Sequence, residues 1–121
     1  MKNIKIEKIV KYHDSCNMYY IDYKLDGKLY REDGPASQVF YDNGQIYSET
    51  YIKDGKMHRE DGPSSQYWYN DGTKEKEYYY LNDIGYDKKE WIEELKRMNS
   101  QHYKEQKDLY DMEQNMEKYN L

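Results

Sequence analysis

Arg31-Glu32-Asp33-Gly34-Pro35 recurs letter for letter as Arg59-Glu60-Asp61-Gly62-Pro63, an offset of 59 − 31 = 28 residues. Residues 26–53 laid over 54–81 agree at 14 of 28 positions. The chain therefore holds an internal repeat, and each local assignment has to suit both copies. Gly accepts strained dihedrals, and Pro fixes φ and donates no hydrogen bond, so the pentapeptide reads as a corner. Upstream of it, Asp26-Gly27 and Asp54-Gly55 are the pair best suited to a two-residue hairpin turn with positive φ.

Working outward, alternating apolar and polar residues bounded by turn residues give strands. These are Met18–Leu25, Lys28–Arg31, Ser37–Tyr41 and Gln45–Lys53, then Lys56–Arg59, Ser65–Tyr69 and Thr73–Leu81. Asp42-Asn43-Gly44 and Asn70-Asp71-Gly72 separate strands at matched positions. A third copy begins at Asn82-Asp83 and departs from the pattern. Tyr86 stands at the His58 position and the pentapeptide is missing, so the array ends there. Residues 3–10, with Ile4, Ile6, Ile9 and Val10, suggest a further short strand. The fold class is mainly β (α+β): antiparallel hairpins in one elongated twisted sheet over 1–86, then a C-terminal helical segment over 87–121.

Composition agrees with that class. A chain of 121 residues supports one hydrophobic core, not two. Its hydrophobic fraction is 36 % with 17 tyrosines, so the core is made largely of rings that are apolar on the face and polar at the tip, a usage that suits strands. A net charge of −5 argues against general nucleic-acid binding, though a local basic pocket is compatible with it. Cys16 is the single cysteine and no charged-then-apolar leader follows Met1, so the reading is an intracellular, cytoplasmic protein. No stretch approaches a membrane span.

Asp87 and Glu90 resemble a capping box, which starts a helix at Lys88. Beyond it Trp91, Leu95, Met98, Leu109, Met112, Met116 and Tyr119 fall in steps of three and four if His102 and Glu105 fill the gaps, a heptad seam. A helix running unbroken to Asn120 would be about 50 Å long; Asn99-Ser100 is the expected break, so one kinked helix or two are both compatible. Trp91, Ile92, Leu95 and Met98 are expected on the sheet. Glu93 with Arg97 and Lys107 with Asp111 are candidate helical ion pairs. Leu95, Met98, His102, Leu109, Met112 and Met116 form a candidate self-association seam, giving a homo-oligomer.

The pattern Y-x-x-D-G-K-x-H-R-E-D-G-P, complete from Tyr51 to Pro63 and with Tyr30 replacing His from Tyr23 to Pro35, resembles the MORN-repeat-variant family. That resemblance covers roughly residues 19–86. It implies stacked β-hairpins in an elongated twisted sheet ending in a short helix, in the setting of giant-virus and phage proteins. The tail after Asp87 is longer than that pattern.

Chemistry is sparse. His13, His58 and His102 lie far apart, so no metal-ligand spacing is present, and D-N-G and N-D-G lack the remaining ligands of a calcium loop. Neither a metal nor a cofactor is expected. Cys16 beside His13 reads as a semi-exposed thiol, since no orienting group or oxyanion pocket is evident. Arg31 and Arg59 have two readings. They could tie the acidic pairs Glu32-Asp33 and Glu60-Asp61 into the corner, which suits a charge that recurs with the period; or, with Tyr30 and His58, they could grip an anionic ligand. Neighbours on a strand face opposite ways, so Phe40 and Trp68 are assigned to the core, leaving Tyr41 and Tyr69 as a surface row for stacking.

The function expected is a non-enzymatic binding platform gathered by its C-terminal helix, a viral or phage accessory factor. Its partner is either a host or viral protein docked on the sheet, or a small anionic, nucleotide-like ligand sequestered between subunits. The alternatives are a nucleotide-processing hydrolase, using His58 with Glu60 or Asp61, and a structural virion protein.

Overall fold

The computed structural model describes residues 5–118; Ile4 of the first expected strand, and Tyr119 and Asn120 of the tail, lie outside the described residues. Ten strands and two helices occur among those residues: β1 (Glu7–His13), β2 (Met18–Leu25), β3 (Lys28–Leu29), β4 (Ser37–Tyr41), β5 (Ile46–Thr50), β6 (Ile52–Lys53), β7 (Lys56–Met57), β8 (Ser65–Trp68), β9 (Lys74–Leu81), β10 (Ile84–Tyr86), α1 (Lys88–Arg97) and α2 (Tyr103–Lys118). The main sheet is an antiparallel meander, β1-β2-β4-β5-β8-β9-β10, with β3 on β2; β6 and β7 form a separate ribbon. The two copies therefore lie adjacent in one ladder.

They are also congruent. Asp26 and Gly27 have φ of 51° and 78°, and Asp54 and Gly55 have 52° and 77°, the positive pair that a tight hairpin turn requires. The ladder shifts register between Val39 and Phe40 and again between Tyr67 and Trp68, one period apart. The three-residue loops close alike, with the Gly44 amide donating to the Tyr41 carbonyl and the Gly72 amide to that of Tyr69, both at 3.0 Å.

Each R-E-D-G-P corner is held by its arginine. The Arg31 guanidinium lies 4.1 Å from the Tyr23 ring centroid and that of Arg59 lies 3.9 Å from the Tyr51 ring. Nη1 of each donates across the corner, Arg31 to the Pro35 carbonyl at 3.2 Å and Arg59 to that of Pro63 at 3.1 Å. The corner glycine closes the other side. A Cβ on Gly34 or Gly62 would sit 2.9 or 2.8 Å from the guanidinium carbon. Tyrosine ring, guanidinium and bare Cα thus form a sandwich, and three letters of the repeat have one physical cause.

The third copy keeps the geometry and changes the chemistry. Tyr79 stands one period after Tyr51, and in place of an arginine it carries the Trp91 indole, with ring centroids 4.8 Å apart. Helix α1 starts where the corner would start: Asp87, its N-cap, accepts from the Glu90 amide at 2.8 Å. Buried Tyr79, Leu81, Trp91, Ile92 and Leu95 make the core, flanked by Tyr86, Tyr103 and Tyr110.

The tail is two helices, broken at the expected place. Asn99 adopts φ of 58°, its amide donates to the Lys96 carbonyl and the Ser100 amide to that of Leu95, the left-handed ending in which Asn can replace Gly. This turn overrides the continuous heptad seam. Leu95 is fully buried in the protomer's own core, so it is unavailable to a partner. Met98, expected on the sheet, is exposed at the turn. Arg97 pairs with Glu94 rather than Glu93, whereas Lys107 does pair with Asp111 at 2.7 Å.

Other expectations shift as well. Among the described residues the first strand is Glu7–His13, running past the expected end at residue 10 because its ladder to β2 continues to the His13↔Met18 pair. Extended pairing breaks at Tyr51, whose amide donates to the Ser64 carbonyl while its carbonyl accepts from the His58 amide. Phe40 and Trp68 are only half-buried and stand outside the core. Their face also carries a polar chain that crosses four strands. Gln38 and Gln66 donate to Glu49, Lys74 bridges Gln66 and Glu77, and the Tyr79 hydroxyl donates to Glu77 at 2.9 Å. Such a face cannot close as an apolar layer.

Gly62→Ala tests the sandwich. Gly62 does not have positive φ, so the penalty is steric: about 1–3 kcal/mol for forcing a methyl against the guanidinium, read as a fall of roughly 5–15 °C in Tm. An unchanged Tm would show that the guanidinium is not held there.

Candidate functional site

A concavity of about 940 Å³ lies where both corners meet the α1–α2 turn. Its walls are Tyr30 to Gly34 of the first corner, His58 to Asp61 of the second, Tyr51 to Asp54 between them, and Met98 to His102. The repeat explains why these come together: hairpins stacked in register carry successive corners to the same edge of the sheet.

The corner by the helices is fastened from several sides. The Trp91 indole N–H donates to the Arg59 carbonyl and Gln106 Nε2 donates to the Asp61 carbonyl, both at 3.2 Å. The Arg59 amide donates to the Tyr80 carbonyl. Arg59 Nε also holds Asp61 at 2.9 Å, against 3.5 Å for Arg31 and Asp33. The expected tie from arginine to the acidic pair thus goes to the aspartate alone. The glutamates take other partners, Glu32 accepting from the Tyr30 hydroxyl at 2.7 Å and Glu60 meeting His58 Nε2 at 2.7 Å. Tyr30 and His58 are therefore equivalents in space as well as in sequence.

His58 has a second task. Its Nδ1 accepts from the Asn82 amide at 3.0 Å, which requires that nitrogen to be unprotonated and makes Nε2 the donor to Glu60. Both ring nitrogens are engaged, and the ring is buried. His58 so pins the third hairpin turn onto the second corner, and the Met57 amide adds a bond to Asp83 at 2.7 Å. A histidine serving as a base would have to release the Asn82 amide. Burial pulls the Glu60 carboxyl upward, but hydrogen bonds from His58 and Ser100 outweigh it and hold the group below its ordinary value.

Of the residues singled out from the sequence, Arg31, Arg59, Tyr30, His58, Met98 and His102 line this cleft. Tyr41 and Tyr69 do not. Tyr41 begins a row of tyrosines, Tyr41, Tyr47, Tyr67 and Tyr78, each ring edge-on to the next at 5.4, 5.6 and 6.1 Å. Its hydroxyl donates to the Trp68 carbonyl of the next copy at 2.8 Å. Tyr69 has no complete copy after it and is exposed. Leu109, Met112 and Met116 are exposed on α2. Asp54 and Ser100, read from the sequence as a hairpin turn and a helix break and not as site residues, also line the cleft, as does Gln101, to which nothing in the sequence pointed. Among the described residues no His, Cys, Asp and Glu cluster could hold a metal, Cys16 is exposed, and no helix is long and apolar enough to cross a membrane.

Comparison with protein-family models, with curated proteins and with solved structures finds no match, so the cleft is read from its own chemistry.

Because its folded-state pKa is lowered, Glu60 contributes stability above its ordinary value of 4.5 and loses it as the pH falls through the lower folded value. Glu60→Gln should therefore be less stable than the parent at pH 7, with the gap closing in acid. Urea midpoints measured from pH 7 to pH 3 check this; a gap constant with pH would remove the carboxylate from the account.

Proposed function

We propose that this chain is a non-enzymatic binding protein whose paired corners and α1–α2 turn present an acid-rich cleft to a basic segment of a partner protein. The observation that supports the reading is the division of charge in the lining. Glu32, Asp33, Asp54, Glu60 and Asp61 face only Arg31, Lys53 and Arg59 as full cations. Both arginines are turned inward onto a ring, a proline carbonyl and an aspartate. The Asp33 side chain is 90 % exposed and that of Asp61 56 %, so carboxylates meet the solvent first. Arginine or lysine side chains of a partner would find them without displacing an internal bond. An anion gripped by Arg31, Arg59, Tyr30 and His58 would have to displace several, so the protein partner is the better supported of the two ligand readings. The resemblance of the corner to giant-virus and phage repeats suits an accessory role of this kind.

A heptapeptide of arginine is a sufficient probe. Expected are salt-dependent binding and amide chemical-shift changes concentrated at Asp54, Ser100 and Gln101, with affinity reduced tenfold or more in Glu32→Gln/Asp33→Asn/Asp54→Asn. Absence of binding, or shifts spread evenly over the surface, would contradict the reading.

Self-association through α2 is a second reading, favoured by one observation: Leu109, Met112 and Met116 remain 40 %, 53 % and 47 % exposed on one face of a helix whose Gln106 is buried. Apolar side chains at spacings of three and four are what a partner helix needs. Sedimentation equilibrium should show a dimer or larger assembly that Leu109→Glu/Met112→Lys reduces to the monomer mass; a parent chain already monomeric at 100 µM or so would end this reading.

A further inference from the structure

A second concavity has the opposite charge. Helices α1 and α2 enclose a groove of about 200 Å³ lined by Lys89, Ile92, Glu93 and Lys96 from α1 and by Tyr103, Lys107 and Tyr110 from α2. Its construction follows from helical spacing. Lys89, Glu93 and Lys96 are four and three residues apart and share one face of α1, while Tyr103, Lys107 and Tyr110 do the same on α2. Ile92 is 3 % exposed and gives the groove an apolar floor. The two tyrosines are half-buried core neighbours and supply aromatic walls.

The charge here runs against the rest of the molecule. The chain has 24 acidic against 19 basic residues, yet this groove gathers three lysines with one glutamate. Asp111, just outside the lining, offsets one of the three lysines, which leaves Lys89 and Lys96, among the described residues, with no carboxylate at the groove but Glu93 on the same helix face. Lys107 holds Asp111, outside the groove lining, and Lys96 stands 5.9 Å from the Tyr103 ring. Lys88, the residue next to Lys89, is paired across the helices with Glu113 at 2.8 Å; no carboxylate of α2 lines the groove. Lysines interleaved with aromatic rings over an apolar floor are the arrangement that takes a flat body carrying a negative group.

We infer that the α1–α2 groove binds a small aromatic anion, its ring laid on Ile92 between Tyr103 and Tyr110 and its phosphate or carboxylate held by Lys89 and Lys96, with Lys107, already tied to Asp111, at the margin. The volume admits one ring with one anionic group and falls below the roughly 300–1,000 Å³ of sites for larger ligands, so a dinucleotide does not fit whole. This site is separate from the acid-rich cleft and does not depend on that reading.

The test is calorimetric titration of the full chain with phenyl phosphate, benzoate, inorganic phosphate and phenol. Saturable one-to-one binding of phenyl phosphate or benzoate, at least tenfold tighter than inorganic phosphate and than phenol, is expected; which of the two binds more tightly identifies the anionic group. Lys89→Gln/Lys96→Gln should weaken that binding at least tenfold with only a small change in Tm, since among the described residues neither lysine makes an ion pair and Lys96 gives up one exposed ring contact. Tyr103→Leu gives an independent check on the ring, weakening phenyl phosphate without altering inorganic phosphate. No heat with any of these compounds, equal binding of inorganic phosphate, or undiminished binding in the lysine variant would each overturn the inference.

Discussion

An arginine guanidinium clamped between a tyrosine ring and the bare Cα of a glycine is the constraint on which this structure depends. The clamp links three positions of the repeat, as Tyr23, Arg31 and Gly34 and again as Tyr51, Arg59 and Gly62. Its Nη1 then fixes the carbonyl of the following proline. A planar cation can satisfy all of these at once; an ammonium is compact and cannot lie flat. The corner so formed returns the chain to the ladder in register, and a one-residue slip would invert every side chain in the next strand. The small apolar core at one end of the sheet could not impose that register along its whole length, so the corners do.

The same clamp explains how the array ends. Tyr79 keeps the aromatic platform, and Trp91 occupies it in place of the guanidinium. An indole is apolar where an arginine is charged, so the last platform becomes the seed of the hydrophobic core rather than a third polar corner. Its one polar atom donates to the Arg59 carbonyl, joining cap and last corner. His58 completes the join by accepting from the Asn82 amide, a bond that the tyrosine at the matching position of the first copy does not make.

Much of this was legible in the sequence because the period is a global signal. The hairpin turns, the Ser37–Tyr41 strand, the Asp87 cap and the Asn99 break each rest on local chemistry that the structure keeps. What was hidden depends on contacts across the repeat. The pairing of Arg59 with Tyr51 rather than with Glu60 needs the hairpin to be folded, and the polar chain through Glu49, Gln66 and Glu77 appears only once strands are in register. That chain is also why Phe40 and Trp68 were misassigned: their size suggested a core, but their neighbours on the same face are glutamines. The tail misled for a related reason, since a three-four spacing looks the same whether a helix faces its own sheet, as at Leu95, or faces outward, as at Met112. Of the site, the corner residues were visible and the α1–α2 turn that completes the cleft was not, because nothing local brings Ser100 to Glu60.

The charge arrangement follows from the same geometry. Since the repeated geometry of each corner consumes its cation internally, stacking corners accumulates carboxylates along one edge, whereas the lysines of α1 and α2 collect where no corner lies. A double-mutant cycle on Tyr51→Leu and Arg59→Met, followed by chemical denaturation, tests the central claim most directly. The account predicts a favourable coupling of about 0.5–2 kcal/mol between the two positions. Strict additivity of the two single substitutions would contradict it.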